Sequence, residues 1–163
     1  MKKNKKNHLW APWRREYVVS GDKERECVFC LAAGEKDDKK SKIIYRGKES
    51  FALLNIYPYN CGHVMVAPYR HIADFCSLTE SESGEVNSIM QKILEKMKET
   101  MSPHGFNIGM NLGRTAGAGI ENHLHVHVVP RWEGDTNFMP VVAEEKVMPE
   151  SLGSVWRKLK IEY

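Results

Sequence analysis

The sequence predicts an α+β domain in which an antiparallel sheet packs on one long amphipathic helix. Short apolar or alternating segments, bounded by turn residues, lie on both sides of a single helical stretch. That stretch begins with a capping-box pattern, Thr79-Glu80-Ser81-Glu82, and repeats apolar residues at helical spacing until Pro103. The connections are mostly short turns, which favour antiparallel neighbours. A chain of 163 residues suits one such domain.

The expected strands are short and separated by turn signals. They are the segments 43–46, 50–56, 63–67, 106–112 and 123–129. Gly47-Lys48 separates the first two and predicts a hairpin. The polar stretch from Ala33 to Lys42 predicts a loop, and so does the segment 113–119, which contains three glycines.

The last of these segments, 123–129, alternates three imidazoles with apolar side chains. Since side chains alternate across a strand, all three histidines would share one face, roughly 7 Å apart, and the aliphatic side chains would share the other. The apolar face would belong to the core and the histidine face to chemistry. A neutral imidazole attacks phosphorus without a separate base, so His125, followed by His127, is a candidate nucleophile. A surface metal-binding stripe is the alternative.

Charge and composition exclude several classes of function. The chain has 24 basic and 21 acidic residues, and four of the lysines lie among the first six positions. The rest is close to neutral, so no nucleic-acid surface is indicated. Residues 1–8 predict a flexible basic tail and residues 9–163 a single domain. With neither a run of ~20 apolar residues nor an export signal, we expect no membrane association and a cytoplasmic protein.

Cys27-Val28-Phe29-Cys30 is a Cys-x-x-Cys motif with three interpretations. It can be half of a tetrahedral zinc site, a pair of free structural thiols or a redox dithiol, and the absence of a preceding βαβ unit disfavours the last. Zinc would need two more ligands, and spacing alone does not choose among the seven histidines. His71, just past a strand, and His123, at a strand edge, could reach the motif. Cys61 and Cys76 are expected to be small buried apolar side chains.

The glycine-rich loop and its neighbours are candidates for phosphate binding. Backbone amides in a loop containing Gly117 and Gly119 can face a phosphate, and Asn111 lies at the end of the preceding strand. The alternative is a flexible connector. Trp132, just after the histidine run, could stack on a base or sugar, or could be a core or dimer-interface aromatic.

The run His123-Leu124-His125-Val126-His127-Val128-Val129 resembles the signature of the histidine triad (HIT) superfamily of nucleotidyl hydrolases and transferases. Segments 50–55 and 62–68 and the pair Met110-Asn111 occur in the family's order, so the resemblance covers roughly residues 43–131. It implies a HIT-like α+β fold, a homodimer and a nucleotide or dinucleoside polyphosphate substrate.

Residue by residue, the resemblance implies roles for five side chains. His125 would attack the α-phosphate and form a nucleotidyl-histidine intermediate. His127 would contact that phosphate and the bridging oxygen of the leaving group. Asn55 would bind the ribose, while His63 and Asn111 would lie along the phosphate-binding side.

The resemblance also implies a structural zinc ion. Zinc-containing members use a Cys-x-x-Cys motif, a His after the strand that begins Gly-His, and the first His of the triplet. Those positions here are Cys27, Cys30, His71 and His123. His123 would then hold metal instead of acting in catalysis.

Within the superfamily, segment 111–138 and the N-terminal segment 9–14 are similar to the diadenosine tetraphosphate phosphorylases. His127 departs from the Gln of the hexose-1-phosphate uridylyltransferases, and Glu121-Asn122 departs from the Gln-Ser of the purine-nucleoside phosphoramidases. The phosphorylases tend to have a Ser where this chain has Gly119, which leaves open whether inorganic phosphate or water completes the reaction. We expect a dinucleoside polyphosphate phosphorylase or hydrolase; the alternatives are a phosphoramidase and a non-catalytic nucleotide-binding protein.

Overall fold

The structure is a computed structural model that describes residues 26–137, 139 and 147–162. The predicted basic tail and the segment 9–14 lie outside these residues. The helices are α1 (Val28–Gly34), α2 (Asp38–Ser41), α3 (Glu80–Met101) and α4 (Leu152–Leu159). The strands are β1 (Ile43–Arg46), β2 (Ser50–Leu54), β3 (Val64–Pro68), β4 (Gly105–Gly109) and β5 (Val126–Arg131). Short 3-10 turns occur at Phe75–Ser77 and Arg114–Ala116.

The five strands form one sheet in the order β1-β2-β3-β5-β4, and every neighbouring pair is antiparallel. The long helix α3 lies in the connection between β3 and β4. The α+β fold predicted from the sequence, with an antiparallel sheet and one long helix, is therefore confirmed.

Helix α3 packs on one face of the sheet because its apolar residues recur every three or four positions. Its buried side chains include Val86, Ile89, Ile93 and Met97, which join Val66, Val126, Val128 and the C-terminal helix α4 in one apolar cluster. The predicted capping box is present: the Thr79 hydroxyl accepts from the Glu82 amide, and the Glu82 carboxylate accepts from the Thr79 amide. The helix ends at Met101, and its C-cap Ser102 lies in the left-handed region with φ 46°, just before Pro103.

The opposite face of the sheet carries a second apolar cluster and the histidines. Phe51, Leu53 and Met65 point to this side and pack with Phe29 of helix α1. His127 lies directly opposite Met65 in the β3–β5 register, so it shares this face, whereas the adjacent Val126 and Val128 face α3. The alternation in the histidine run thus separates core from site, as the sequence indicated.

Several local expectations were wrong. The stretch from Ala33 to Lys42 is not a simple loop, since it contains the end of α1 and the whole of α2, whose N-cap Asp37 accepts hydrogen bonds from the amides of Lys39 and Lys40. Strand β2 ends at Leu54 and β4 at Gly109, earlier than expected, and β5 begins only at Val126. The C-terminal helix α4 was not anticipated.

The two remaining cysteines differ in environment. Cys61 is buried in the α3-side cluster, as expected, but Cys76 is exposed in a 3-10 turn. The expectation for Cys76 was wrong because a turn held by the Asp74 side chain keeps this segment outside the core. In the described part of the chain, none of the helices combines the length and apolar character that crossing a bilayer requires.

Candidate active site and metal centre

A cavity of about 390 Å³ opens on the histidine-bearing face of the sheet. His125, His127 and Asn55 line it, together with Met65 of β3. A second wall comes from α1 through three apolar side chains at helical spacing, Val28, Leu31 and Ala32. A small mostly apolar enclosure beside two imidazoles can take a flat aromatic group with a charged group attached.

The backbone sets the tautomer of His125. Its Nδ1–H donates to the carbonyl of His123 at 2.8 Å, and a carbonyl only accepts, so the lone pair lies on Nε2. Burial lowers the pKa of His125 below its usual 6.5, which keeps the ring neutral. The result is an imidazole with an available lone pair on a rigid strand end, the form required of a nucleophile.

A second chain of hydrogen bonds sets the tautomer of His127. The amide of Tyr59 donates to His63 Nδ1 at 3.0 Å, so His63 carries its proton on Nε2. That Nε2–H donates to His127 Nδ1 at 2.9 Å, which leaves the His127 proton on Nε2. The rings of His125 and His127 meet edge to face with centroids 4.8 Å apart. Two neighbouring imidazoles therefore have opposite character, since His125 presents a lone pair and His127 holds a proton.

Four potential metal ligands converge beside the same histidine run. One ligand atom each from Cys27, Cys30, His71 and His123 lies within 4.8 Å of the other three. Cys27 Sγ is 3.2 Å from His123 Nδ1, and Cys30 Sγ is 3.3 Å from His71 Nδ1 and 3.6 Å from His123 Nδ1. Two thiols and two imidazoles are a donor set typical of structural zinc.

The separations fit a tetrahedral ion. With Zn–S near 2.3 Å and Zn–N near 2.0 Å, sulfur and nitrogen ligands of one ion lie roughly 3.5 Å apart, as the thiols and imidazoles do here. The Nε2–H of His123 donates to the Pro68 carbonyl at 2.9 Å, which leaves Nδ1 for the metal. Burial also lowers the pKa of His123, favouring the neutral ring that metals bind.

The comparisons with known proteins agree with this geometry. Residues 36–134 match the HIT domain family. The chain belongs to the HIT family. This HIT protein is similar to AP-4-A phosphorylase from Mycobacterium tuberculosis, with 40% identity over 162 residues covering 95% of this chain and 83% of that protein. It is 33% identical over 105 residues to bis(5'-nucleosyl)-tetraphosphatase (asymmetrical) from Schizosaccharomyces pombe, which covers 64% of this chain and 57% of that protein.

A solved structure of a zinc-bound protein is also similar to this chain. A Zn-bound histidine triad family protein from Mycobacterium smegmatis superposes with a TM-score of 0.65 and 26% identity, covering 82% of this chain and 90% of that chain. The family resemblance expected from the sequence is therefore confirmed. Two of the relatives of this HIT protein are enzymes named for their action on dinucleoside polyphosphates.

The structure brings together some of the expected nucleotide-binding residues and separates others. Asn55 and Gly119 line the cavity, and His63 lies behind His127. Of the residues described, Asn111, Gly117 and Trp132 are not among those that line it. The Trp132 indole N–H instead donates to the Met101 carbonyl at 3.2 Å, at the end of α3.

Helix α1 and its Phe29 were missed in the sequence. The apolar residues Val28, Leu31 and Ala32 stand at positions i, i+3 and i+4, which is the helical period. The signal was present but short, and it lay next to the polar stretch that predicted a loop. Tyr59 was also missed: its amide orients His63, and its ring centroid lies 4.6 Å from that of His63 and 5.5 Å from that of His127. Residue type gives no signal for the amide contact, and the ring contacts depend on tertiary packing.

Proposed function

We propose that this HIT protein cleaves dinucleoside polyphosphates through a nucleotidyl-histidine intermediate on His125. The observation that carries the proposal is the pair of imidazoles in one cavity wall, with a lone pair on His125 Nε2 and a proton on His127 Nε2. One supports attack on phosphorus and the other supports departure of an oxygen leaving group. The names of its relatives support the substrate class.

In the first step His125 Nε2 attacks the α-phosphorus. The new N–P bond forms as the bond from phosphorus to the bridging oxygen breaks, and that oxygen keeps the electron pair of the broken bond and accepts a hydrogen bond from His127 Nε2–H. His63 holds His127 in the required orientation through the 2.9 Å hydrogen bond. Asn55 and Gly119 line the same cavity and are proposed to contact the ribose and a phosphate. For Asn111, Gly117 and Trp132, which lie outside the lining, we propose no direct contact with the first nucleotide.

In the second step an oxygen nucleophile attacks the same phosphorus and the N–P bond breaks, which regenerates neutral His125. Inorganic phosphate would give ADP and ATP from diadenosine tetraphosphate, and water would give AMP and ATP. We propose phosphorolysis, because the similarity to AP-4-A phosphorylase extends over 95% of this chain.

We also propose that Cys27, Cys30, His71 and His123 hold one structural zinc ion. The donor set and the separations support it, as does the Zn-bound relative. None of the four cysteines forms a disulfide, which supports a reducing, cytoplasmic location.

A homodimer is supported by one edge of the sheet. Among the described strands, β4 pairs with β5 alone, and Ile108 on it is 49% exposed. An open edge with an apolar side chain can pair with a second copy.

Light scattering tests the dimer. We expect the wild-type protein to be a dimer and the Ile108→Lys variant to be a monomer; a wild-type monomer would contradict the proposal.

The activity is tested by incubating the protein with diadenosine tetraphosphate, with and without millimolar inorganic phosphate, and resolving the nucleotides. ADP and ATP formed only with phosphate would support phosphorolysis. AMP and ATP without phosphate would identify a hydrolase and overturn the proposed second step. If no product forms in either tube, the cleavage proposal fails.

The role of His125 is tested by His125→Ala, for which turnover should be lost while AMP binding persists. His104→Asn is the matched control, because His104 is an exposed histidine that is not among the cavity-lining residues. Cleavage by His125→Ala at the wild-type rate would exclude this residue as the nucleophile.

A further inference from the structure

The metal centre and the nucleotide cavity share one structural element, helix α1. Cys27 is the N-cap of this helix and Cys30 lies in its first turn. Between and after them, Val28, Leu31 and Ala32 line the cavity. One side of the same short helix therefore belongs to the metal ligands and another side to the nucleotide wall.

Phe29 connects the two sites directly. Its side chain is fully buried, and its ring centroid lies 5.0 Å from that of His123 and 4.8 Å from that of His125. One neighbour is a metal ligand and the other is the proposed nucleophile. Because close-packed side chains transmit displacement, a shift of α1 would move the ring that packs on His125.

The N-terminal half of α1 is positioned by the buried Phe29 and by the contacts of the two cysteine thiols, without a side-chain cap. The helix has seven residues, a length at which helices are marginal without tertiary contacts, and the side chain of its N-cap makes no capping hydrogen bond. At its C-terminal end the Arg46 guanidinium donates to the carbonyls of Ala33 and Glu35 at 2.9 and 2.7 Å. At its start, the cysteine thiols contact His123 and His71.

We propose that metal binding and nucleotide binding are coupled through α1, with Phe29 as the positioning residue. The metal orders the helix that forms one wall of the cavity, and a nucleotide packed on that wall in turn holds Cys27 and Cys30 in their ligating positions. Coupling between two binding sites is reciprocal, so each ligand strengthens binding of the other by the same factor. This inference rests on the proposed nucleotide and zinc sites.

The test uses the zinc-loaded protein and AMP as the probe. Zinc is released to a competing colorimetric chelator until equilibrium is reached, with and without saturating AMP, while AMP binding is measured separately by calorimetry. We expect AMP to lower the extent of zinc release by an amount that corresponds to an affinity for zinc about fivefold or more higher, the lower end of typical coupling between sites. This readout does not depend on catalysis.

Phe29→Leu separates coupling from metal binding, because it keeps all four ligands. We expect this variant to retain one zinc per chain but to lose most of the effect of AMP on zinc release. Phe51→Leu is the matched control: Phe51 is also fully buried in the same cluster, but it stacks on Tyr69. It should keep the AMP effect.

The outcomes separate this inference from the proposed function. If AMP binds and diadenosine tetraphosphate is cleaved, but AMP leaves zinc release unchanged, the coupling is overturned and the proposed function stands. If AMP does not bind and no substrate is cleaved, both are overturned. An equal AMP effect in wild-type and Phe29→Leu protein would exclude Phe29 as the connection.

Discussion

At the scale of single residues, His123 and His125 turn opposite ring nitrogens toward backbone carbonyls. His123 uses Nε2 on Pro68, which leaves Nδ1 for a metal, and His125 uses Nδ1 on His123, which leaves Nε2 for phosphorus. Two identical side chains two positions apart thus leave different ring nitrogens available, as the proposed zinc ligand and the proposed nucleophile require. What distinguishes them is the carbonyl that each ring can reach.

His63→Asn tests whether the proton on His127 serves the leaving group. Without the 2.9 Å hydrogen bond from His63 the orientation and tautomer of His127 are lost, and we expect kcat on diadenosine tetraphosphate to fall about 100-fold. AMP affinity should change little. An unchanged kcat on diadenosine tetraphosphate would contradict this role.

Glu82 makes stability depend on pH in a defined window. Hydrogen bonds from the Arg70 guanidinium, at 2.7 Å, and from the Thr79 amide lower the pKa of Glu82 from 4.5 to about 2. Because the folded-state pKa is depressed, the stabilisation is complete above the unfolded value near 4.5 and disappears as pH falls toward about 2.

Glu82→Gln should therefore be less stable than wild type at pH 7, with the difference shrinking as pH falls toward 2. Denaturant unfolding at several pH values measures this. Glu80→Gln, at an exposed position nearby, is the control, and its free energy of unfolding should equal that of wild type at each pH. A difference between Glu82→Gln and wild type that stays constant from pH 7 to pH 2 would contradict the assignment.

At the scale of elements, hydrogen bonds to one carboxylate connect the β1–β2 hairpin to the long helix α3. Glu85 of α3 accepts from the amides of Lys48, Glu49 and Ser50 at 2.8, 2.7 and 2.7 Å. Gly47 allows this approach, because a Cβ there would lie 2.8 Å from the Glu85 carboxyl group and from the Ser50 carbonyl oxygen. The β1–β2 turn is held by these bonds as well as by sheet pairing.

Glu85→Gln should lower the free energy of unfolding by about 2 kcal/mol, since the carboxylate acceptor of three backbone amides is replaced by a neutral amide. Urea unfolding measures the change. Glu95→Gln, at an exposed position on the same helix, should be within about 0.5 kcal/mol of wild type. Equal stability of the two variants would show that the hydrogen bonds to Glu85 do not contribute to the free energy of unfolding.

At the scale of the whole molecule, the larger apolar cluster lies on the α3 side of the sheet and the candidate functional sites lie on the opposite side. The α3-side cluster contains β-strand, α3 and α4 residues and no metal ligand. The opposite cluster is smaller and is covered by α1, whose Phe29 lies in sequence between the proposed metal ligands Cys27 and Cys30. The proposed zinc ion would stabilise the second cluster more than the first.

Removal of the proposed zinc should lower the melting temperature by several degrees, because a ligand bound only by the folded state stabilises it. Differential scanning fluorimetry with and without a strong chelator measures this, together with metal content. Cys30→Ser should reproduce the chelator effect and Cys76→Ser, at an exposed cysteine outside the cluster, should not. Chelator-insensitive melting of a protein that contains no zinc would overturn the structural-zinc proposal.

Local patterns in the sequence determined the α+β class, the long helix and the face that carries the histidines. The capping box at Thr79 and the 3.6-residue period mark α3, and the alternation of imidazole and apolar side chains over 123–128 places the imidazoles on the face opposite α3. Both signals depend on neighbours within a few residues. The family resemblance also indicated the four metal ligands, which the structure brings within reach of one ion.

Only the tertiary structure decided which residues reach the cavity. Trp132, close in sequence to His127, turns away to the end of α3, whereas Phe29, 96 positions before His125, packs against it. Tyr59 acts through its amide, and Cys76 is exposed because of a local turn. These outcomes depend on contacts between distant segments and on backbone groups that every residue carries. Neither can be predicted from residue type and spacing.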